Sequence, residues 1–131
     1  MKKVLNLTVL FVALCIVASC GKAKPEEIAA KAAEQYYSYL LDGKYEAFVD
    51  GCYQQDTIRD VYRQQLIENA KMFVAQQKAE HKGIKSFEVA SAEVDTAAHS
   101  ANVFLILTYG DGGSEQILLP MVEKDNLWMM R

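Results

Sequence analysis

Three patterns of apolar and polar positions succeed one another along the chain. From Val4 to Val17 the residues are apolar without periodicity, interrupted only by Asn6 and Thr8. From Pro25 to the region of Gly83 apolar residues recur at helical spacing, and beyond it they fall into short β-rich stretches. Pro25 suits a first helical position, and Glu26 and Glu27 complement the positive end of the helix it opens. Lys31, Glu34, Gln35, Ser38 and Asp42 then fall at i, i+3, i+4, i+7 and i+11. They form one narrow polar stripe on a helix otherwise made of Ala, Tyr, Leu and Ile, so most of its surface is expected to be buried. Gly43 is placed to end it.

"KYEAFVDG" predicts a short second helix closed by Gly51. Thr57, followed three residues later by Asp60, fits a capping box at the start of a third helix. Ile58, Tyr62, Leu66, Ala70, Phe73 and Gln77 recur along it, supported by Val61, Ile67 and Val74. This helix is long and ends near Gly83, with His81 in its last turn, where a cationic imidazole suits the helix dipole.

The period then changes. "IKSFEVASAEV" reads as a strand with Phe87 and Val89 on one face. "ANVFLILTY" is apolar on both faces, which predicts a central strand covered on both sides. "GDGG" is a hairpin turn, and "EQILLPMV" returns as a third strand in which Pro120 marks a bulge or an edge position. "EKDN" turns the chain into a last short strand, "LWMMR". Helices followed by strands predict an α+β fold. Three N-terminal helices pack in the concave face of a curved, roughly four-stranded antiparallel sheet.

The first apolar stretch is too short to span a bilayer, which takes about 20 residues. With Lys2 and Lys3 before it and Ala18 and Ser19 after it, it has the layout of a secretory signal peptide. Val17-Ala18-Ser19-Cys20 resembles the lipobox of bacterial lipoproteins. That resemblance implies cleavage before Cys20 and attachment of a diacylglycerol to its sulfur, enough acyl chain for stable anchoring. The alternative is an ordinary signal peptide beside a chance cysteine. The expected organisation is a leader over 1–19, a lipidated tether over 20–24 and one domain over 25–131. The expected location is the cell envelope, on a bacterial membrane after secretion.

On this reading Cys15 leaves with the leader and the Cys20 sulfur is alkylated, so Cys52 has no internal disulfide partner. It is either a redox or cross-linking thiol or a small hydrophobe. Its apolar surroundings, without an adjacent base, favour the second. Hydrophobic content of 51% and charged content of 24% describe a globular chain. The pI of 5.4 and the absence of any Lys/Arg run exclude a nucleic-acid surface.

The order of elements, with Asp42-Gly43-Lys44-Tyr45-Glu46-Ala47 near one end and Asp125-Asn126-Leu127-Trp128-Met129-Met130 at the other, resembles the nuclear-transport-factor-2-like (NTF2-like), or cystatin-like, cone. The resemblance implies a cone whose mouth serves some members as an enzyme site and many for binding or assembly. It also implies that a homodimer can form through the sheet. These are signatures of fold and carry no activity.

The residues themselves offer little catalytic chemistry. Ala101–Tyr109 and Gln116–Val122 contain no charged residue, and Glu88 is the one acid near the middle of a strand, where alternation turns it outward. It is a weak catalytic candidate. His81 and His99 stand apart, no Cys/His cluster suggests a metal, and no cofactor motif is present. Tyr36, Tyr39, Tyr62, Tyr109 and Trp128 are the candidate pocket lining, able to present hydroxyls and an indole N–H to an amphipathic ligand. The alternative is that they are core residues with their polar tips satisfied. The expectation is a membrane-tethered, non-enzymatic binding or scaffold domain for a small amphipathic ligand or an envelope protein. The alternative is a small isomerase- or dehydratase-like enzyme using the cone.

Overall fold

Small residues on one side of the first helix let it lie close against a sheet. In the computed structural model, which describes residues 23–54 and 60–131, helix α1 (Pro25–Leu41) buries Ala29, Ala33, Tyr37 and Leu40 on that side. Lys31, Glu34, Gln35 and Asp42 of the expected polar stripe are exposed or half-buried. Gly43 ends the helix at φ 77°, and the Lys44 N–H returns to the Tyr39 carbonyl at 2.8 Å. The leader, Cys20 and the Thr57 cap lie outside the described residues.

Helix α2 (Tyr45–Asp50) and helix α3 (Asp60–His81) follow. Strands β1 (Ile84–Asp95), β2 (Ser100–Tyr109), β3 (Ser114–Lys124) and β4 (Leu127–Met130) then pair antiparallel in the order β1-β2-β3-β4. Register shifts in β1 between Ile84 and Ser86 and between Val89 and Ser91 mark bulges. Bulges bend a strand and so curve the sheet around its contents. Helices first and a four-stranded antiparallel sheet second is the α+β cone expected from the sequence.

Directly paired residues share a face of the sheet. Ala101, Val103, Leu105, Leu107 and Tyr109 of β2 point inward with Phe87, Val89, Ile117, Leu119 and Met121 of its neighbours. Tyr37 reaches this layer from α1, its ring 5.8 Å from that of Phe87. The other face carries Phe104, Ile106 and Leu118, and Leu118 is 51% exposed. Strand β2 is therefore central but covered on one side only among the described residues, which corrects the expectation of two covers. Its apolar outer positions, Phe104 and Ile106, are half-buried beside exposed neighbours in the sheet, with no layer of described residues above them.

Pro120 sits inside β3, opposite Asn102 of β2, and its carbonyl accepts from the Arg131 N–H at 3.0 Å. The N and O of one strand residue point to the same flank. Its missing N–H thus faces the flank where β4 stops, an edge position within an interior strand. On the far side of β4, the Met130 N–H donates to the Gly51 carbonyl at 2.8 Å and the Tyr53 N–H donates to the Met130 carbonyl. This ties the end of α2 to the last strand.

Candidate functional site

A largely apolar concavity lies among the helices. Tyr37 and Leu40 of α1 meet Phe48 and Val49 of α2, and Cys52 follows one turn on; Leu66, Asn69, Ala70 and Phe73 of α3 form the opposite wall. The space between them is about 310 Å³, at the lower end of the range for small-molecule sites. Tyr37 links this groove to the sheet, because its ring meets Phe48 edge-on at 6.3 Å while also contacting Phe87. Burial pushes the Tyr37 phenol up to about 12.

Cys52 is half-buried, with its Sγ 3.8 Å from the Phe48 carbonyl. Burial first, and then the Asp50 charge, push its thiol above the ordinary range. That environment disfavours the thiolate that redox or nucleophilic chemistry needs. The remaining polar group of the lining is the Asn69 amide. Among the described residues no carboxylate or imidazole lines the groove. Among the described residues no group of three His, Cys, Asp or Glu side chains could hold a metal ion.

The five sequence-predicted pocket residues do not share one lining, although two of them, Tyr36 and Trp128, meet. The Tyr36 hydroxyl donates to the Trp128 carbonyl at 2.6 Å and joins α1 to β4. Burial, followed by Tyr39 and Cys52, raises its phenol. Trp128 is buried in the core, and Tyr39 is half-buried on α1. Tyr62 is 50% exposed and precedes Leu66, Asn69 and Phe73 on one stripe of α3, one turn beyond the groove. Tyr109 lies at the opposite end of α3. Its ring stacks on His81 at 4.3 Å, and its hydroxyl donates to Glu115 Oε2 at 2.6 Å. That bond, above all, pushes the Tyr109 phenol up to about 12.

The glycine-rich turn docks on this same corner. The Gly110 N–H donates to the Gly83 carbonyl at 2.8 Å, and Asp111 Oδ1 accepts from the Gly113 N–H at 2.8 Å. The Gly113 contact and the nearby His81, 3.4 Å away, hold the Asp111 carboxyl below its ordinary range. His81 is thus half-covered rather than freely solvated, whereas His99 is exposed in its turn, with Glu123 Oε1 at 3.3 Å. Glu88 lies on the outer face opposite Ile106.

Tyr37, Phe48, Val49, Leu66 and Phe73 are not marked as a site by the sequence.

No protein-family model matches the chain, and no curated protein matches it. Among solved structures, one from Campylobacter jejuni titled "Putative NTF2-like transpeptidase" aligns with a TM-score of 0.60. The alignment covers 75% of this chain and 92% of that one at 13% identity. A second, Aln2 from a Streptomyces species, has a TM-score of 0.46 at 10% identity over 85% of this chain and 90% of its own. The first likeness shows the NTF2-like fold and nothing of activity.

Proposed function

We propose that the chain is a lipid-anchored, non-enzymatic NTF2-like binding domain of the bacterial cell envelope, holding a small amphipathic ligand in the groove between its three helices. The groove carries this reading. It is largely apolar, it is open at the surface between α1, α2 and α3, and its polar groups, the Tyr37 phenol, the Cys52 thiol and the Asn69 amide, are neutral. General acid–base catalysis needs a titratable group of suitable pKa within hydrogen-bond reach of the substrate, and this lining supplies a phenol and a thiol, both raised by burial, and an amide. The enzyme alternative is therefore less well supported than binding. The lipobox-like Val17–Cys20 supports the anchor.

Two measurements test the two halves. In a bacterial host fed an alkyne fatty acid, the chain is expected to take up label, and Cys20→Ala to abolish it. Unchanged labelling would refute the anchor. For the groove, the chain made without residues 1–19 and with Cys20→Ser is titrated with decyl maltoside below its micellar concentration and followed by amide NMR. The shifts should centre on Leu40, Val49 and Ala70, and Leu66→Glu should weaken binding by about tenfold, the scale of one buried apolar side chain. Shifts elsewhere, or none, would refute the ligand site.

A second surface supports a protein contact. Phe104, Ile106 and Leu118 form an apolar strip on the uncovered sheet face. The proposed occupant is a second copy of the chain, paired face to face.

A further inference from the structure

Charged residues stand at one end of the groove, and those described there sum to an acidic charge. Arg63 stands one turn before Leu66 on α3, and Asp50 directly follows Val49 on α2. Their ion pair joins the two helices there. It is bidentate, with Arg63 Nε 3.0 Å from Asp50 Oδ1 and the Arg63 terminal amino group 3.2 Å from Oδ2. The guanidinium edge that could grip an incoming carboxylate or phosphate in a fork is thereby turned to Asp50.

Two further acids surround this pair. Glu46 lies one turn before Asp50 and Asp60 opens α3; both are exposed, and both are near enough, with Asp50, to raise the Arg63 guanidinium. Glu46, Asp50, Asp60 and Arg63 together carry a net charge of −2. Residues 55–59, outside the described part, include one acid and one base, Asp56 and Arg59. Tyr62, next to Arg63 in sequence and half-exposed, offers an aromatic face on the groove's own stripe. The rest of the lining is uncharged.

Resting on the reading of the groove as a ligand site, we infer that its ligand is a cationic amphiphile: a single alkyl or acyl chain along Leu40, Val49, Leu66 and Phe73, with an ammonium-type group at the Asp50–Arg63 end. An anionic head would meet the net negative charge there, and Arg63 is already engaged. A cation is attracted by the same charges and by an aromatic face. A volume of about 310 Å³ suits one chain better than two.

The test uses three probes with the same ten-carbon tail: decyltrimethylammonium, decyl maltoside and decanoate. Each is titrated below its micellar concentration into the Cys20→Ser chain lacking residues 1–19, with amide NMR confirming the fold. Decyltrimethylammonium is expected to bind about tenfold more tightly than decanoate at low salt, as two uncompensated charges near the surface allow. Glu46→Gln with Asp60→Asn, both exposed positions, should remove most of that preference, as should salt of about 0.5 M. Equal binding of the three, a preference for decanoate, or a preference indifferent to the double substitution would overturn the cationic ligand while leaving the groove as a site. Failure of all three to bind would overturn both.

Discussion

Gly51 shows how a single missing side chain holds two ends of this protein together. The Tyr36 ring lies where a Cβ on Gly51 would begin, and the Tyr36 hydroxyl donates to the Trp128 carbonyl. Gly51→Ala must push the ring aside and break that bond. A loss of about 1–3 kcal/mol, the usual cost of overpacking, is expected in urea unfolding. Tyr36→Phe, which loses only the hydrogen bond, should cost about 1 kcal/mol. Equal costs would show that the ring is free to move. Tyr37 and Tyr109 set a second expectation at this scale. Both phenols are raised to about 12 in the folded chain, Tyr37 by burial and Tyr109 by Glu115, against an ordinary value of 10.0. Below pH 10 both are protonated whether the chain is folded or not, so their contribution is fully present there. Between pH 10 and 12 the unfolded chain releases protons that the folded chain retains, and stability must fall. Unfolding midpoints measured across that window should drop, and Tyr37→Phe should flatten part of the drop. A flat profile for the unsubstituted chain would contradict the burial of Tyr37 and the bond from Tyr109 to Glu115.

Among the elements, α3 is held unevenly. Ile67 and Ala70 are its buried residues, and its last turn is tied down where Asp111 N–H donates to the His81 carbonyl and the hairpin docks on Gly83. Its first turns are held mainly by Arg63 and Asp50, and Val61 is 83% exposed. Exposed ion pairs contribute about 0–1 kcal/mol. Amide exchange should therefore be faster over residues 61–66 than over 70–78, and Arg63→Ala should widen the difference while leaving α1 unchanged. Uniform protection along the helix would refute the uneven attachment. The same unevenness explains what the sequence can and cannot show. The α1 boundaries are legible because its polar residues form one stripe and Gly43 stops it. The rotation of α3 is not. Tyr62, Leu66 and Phe73 lie along one side and Val61 and Met72 along another, so two apolar arcs compete and spacing alone cannot choose between them. The groove depends on that rotation. The candidate tyrosines stand out by their chemistry, but the hydroxyls of two of them join elements instead, Tyr36 to β4 and Tyr109 to Glu115.

On the scale of the whole molecule, one sheet face is packed by helices and the other is left open by the described residues. A second copy laid on Phe104, Ile106 and Leu118 would bury apolar surface that no described residue covers; stable pairs bury about 800 Å² on each partner. Light scattering should give a dimer mass for the chain and a monomer mass for Leu118→Glu, whose outward side chain leaves the core untouched. A monomer at every concentration would refute the pairing. The contact between Tyr36 and Trp128 spans 92 positions, and it bears on time as well as on shape. Distant contacts slow folding, because large loops must close before anything is gained. Helix α1 emerges from the ribosome long before the strands it packs against, and its alanine-rich face has no partner until they follow. The core therefore closes only when nearly the whole chain is available, which makes the last strand a condition for the first helix.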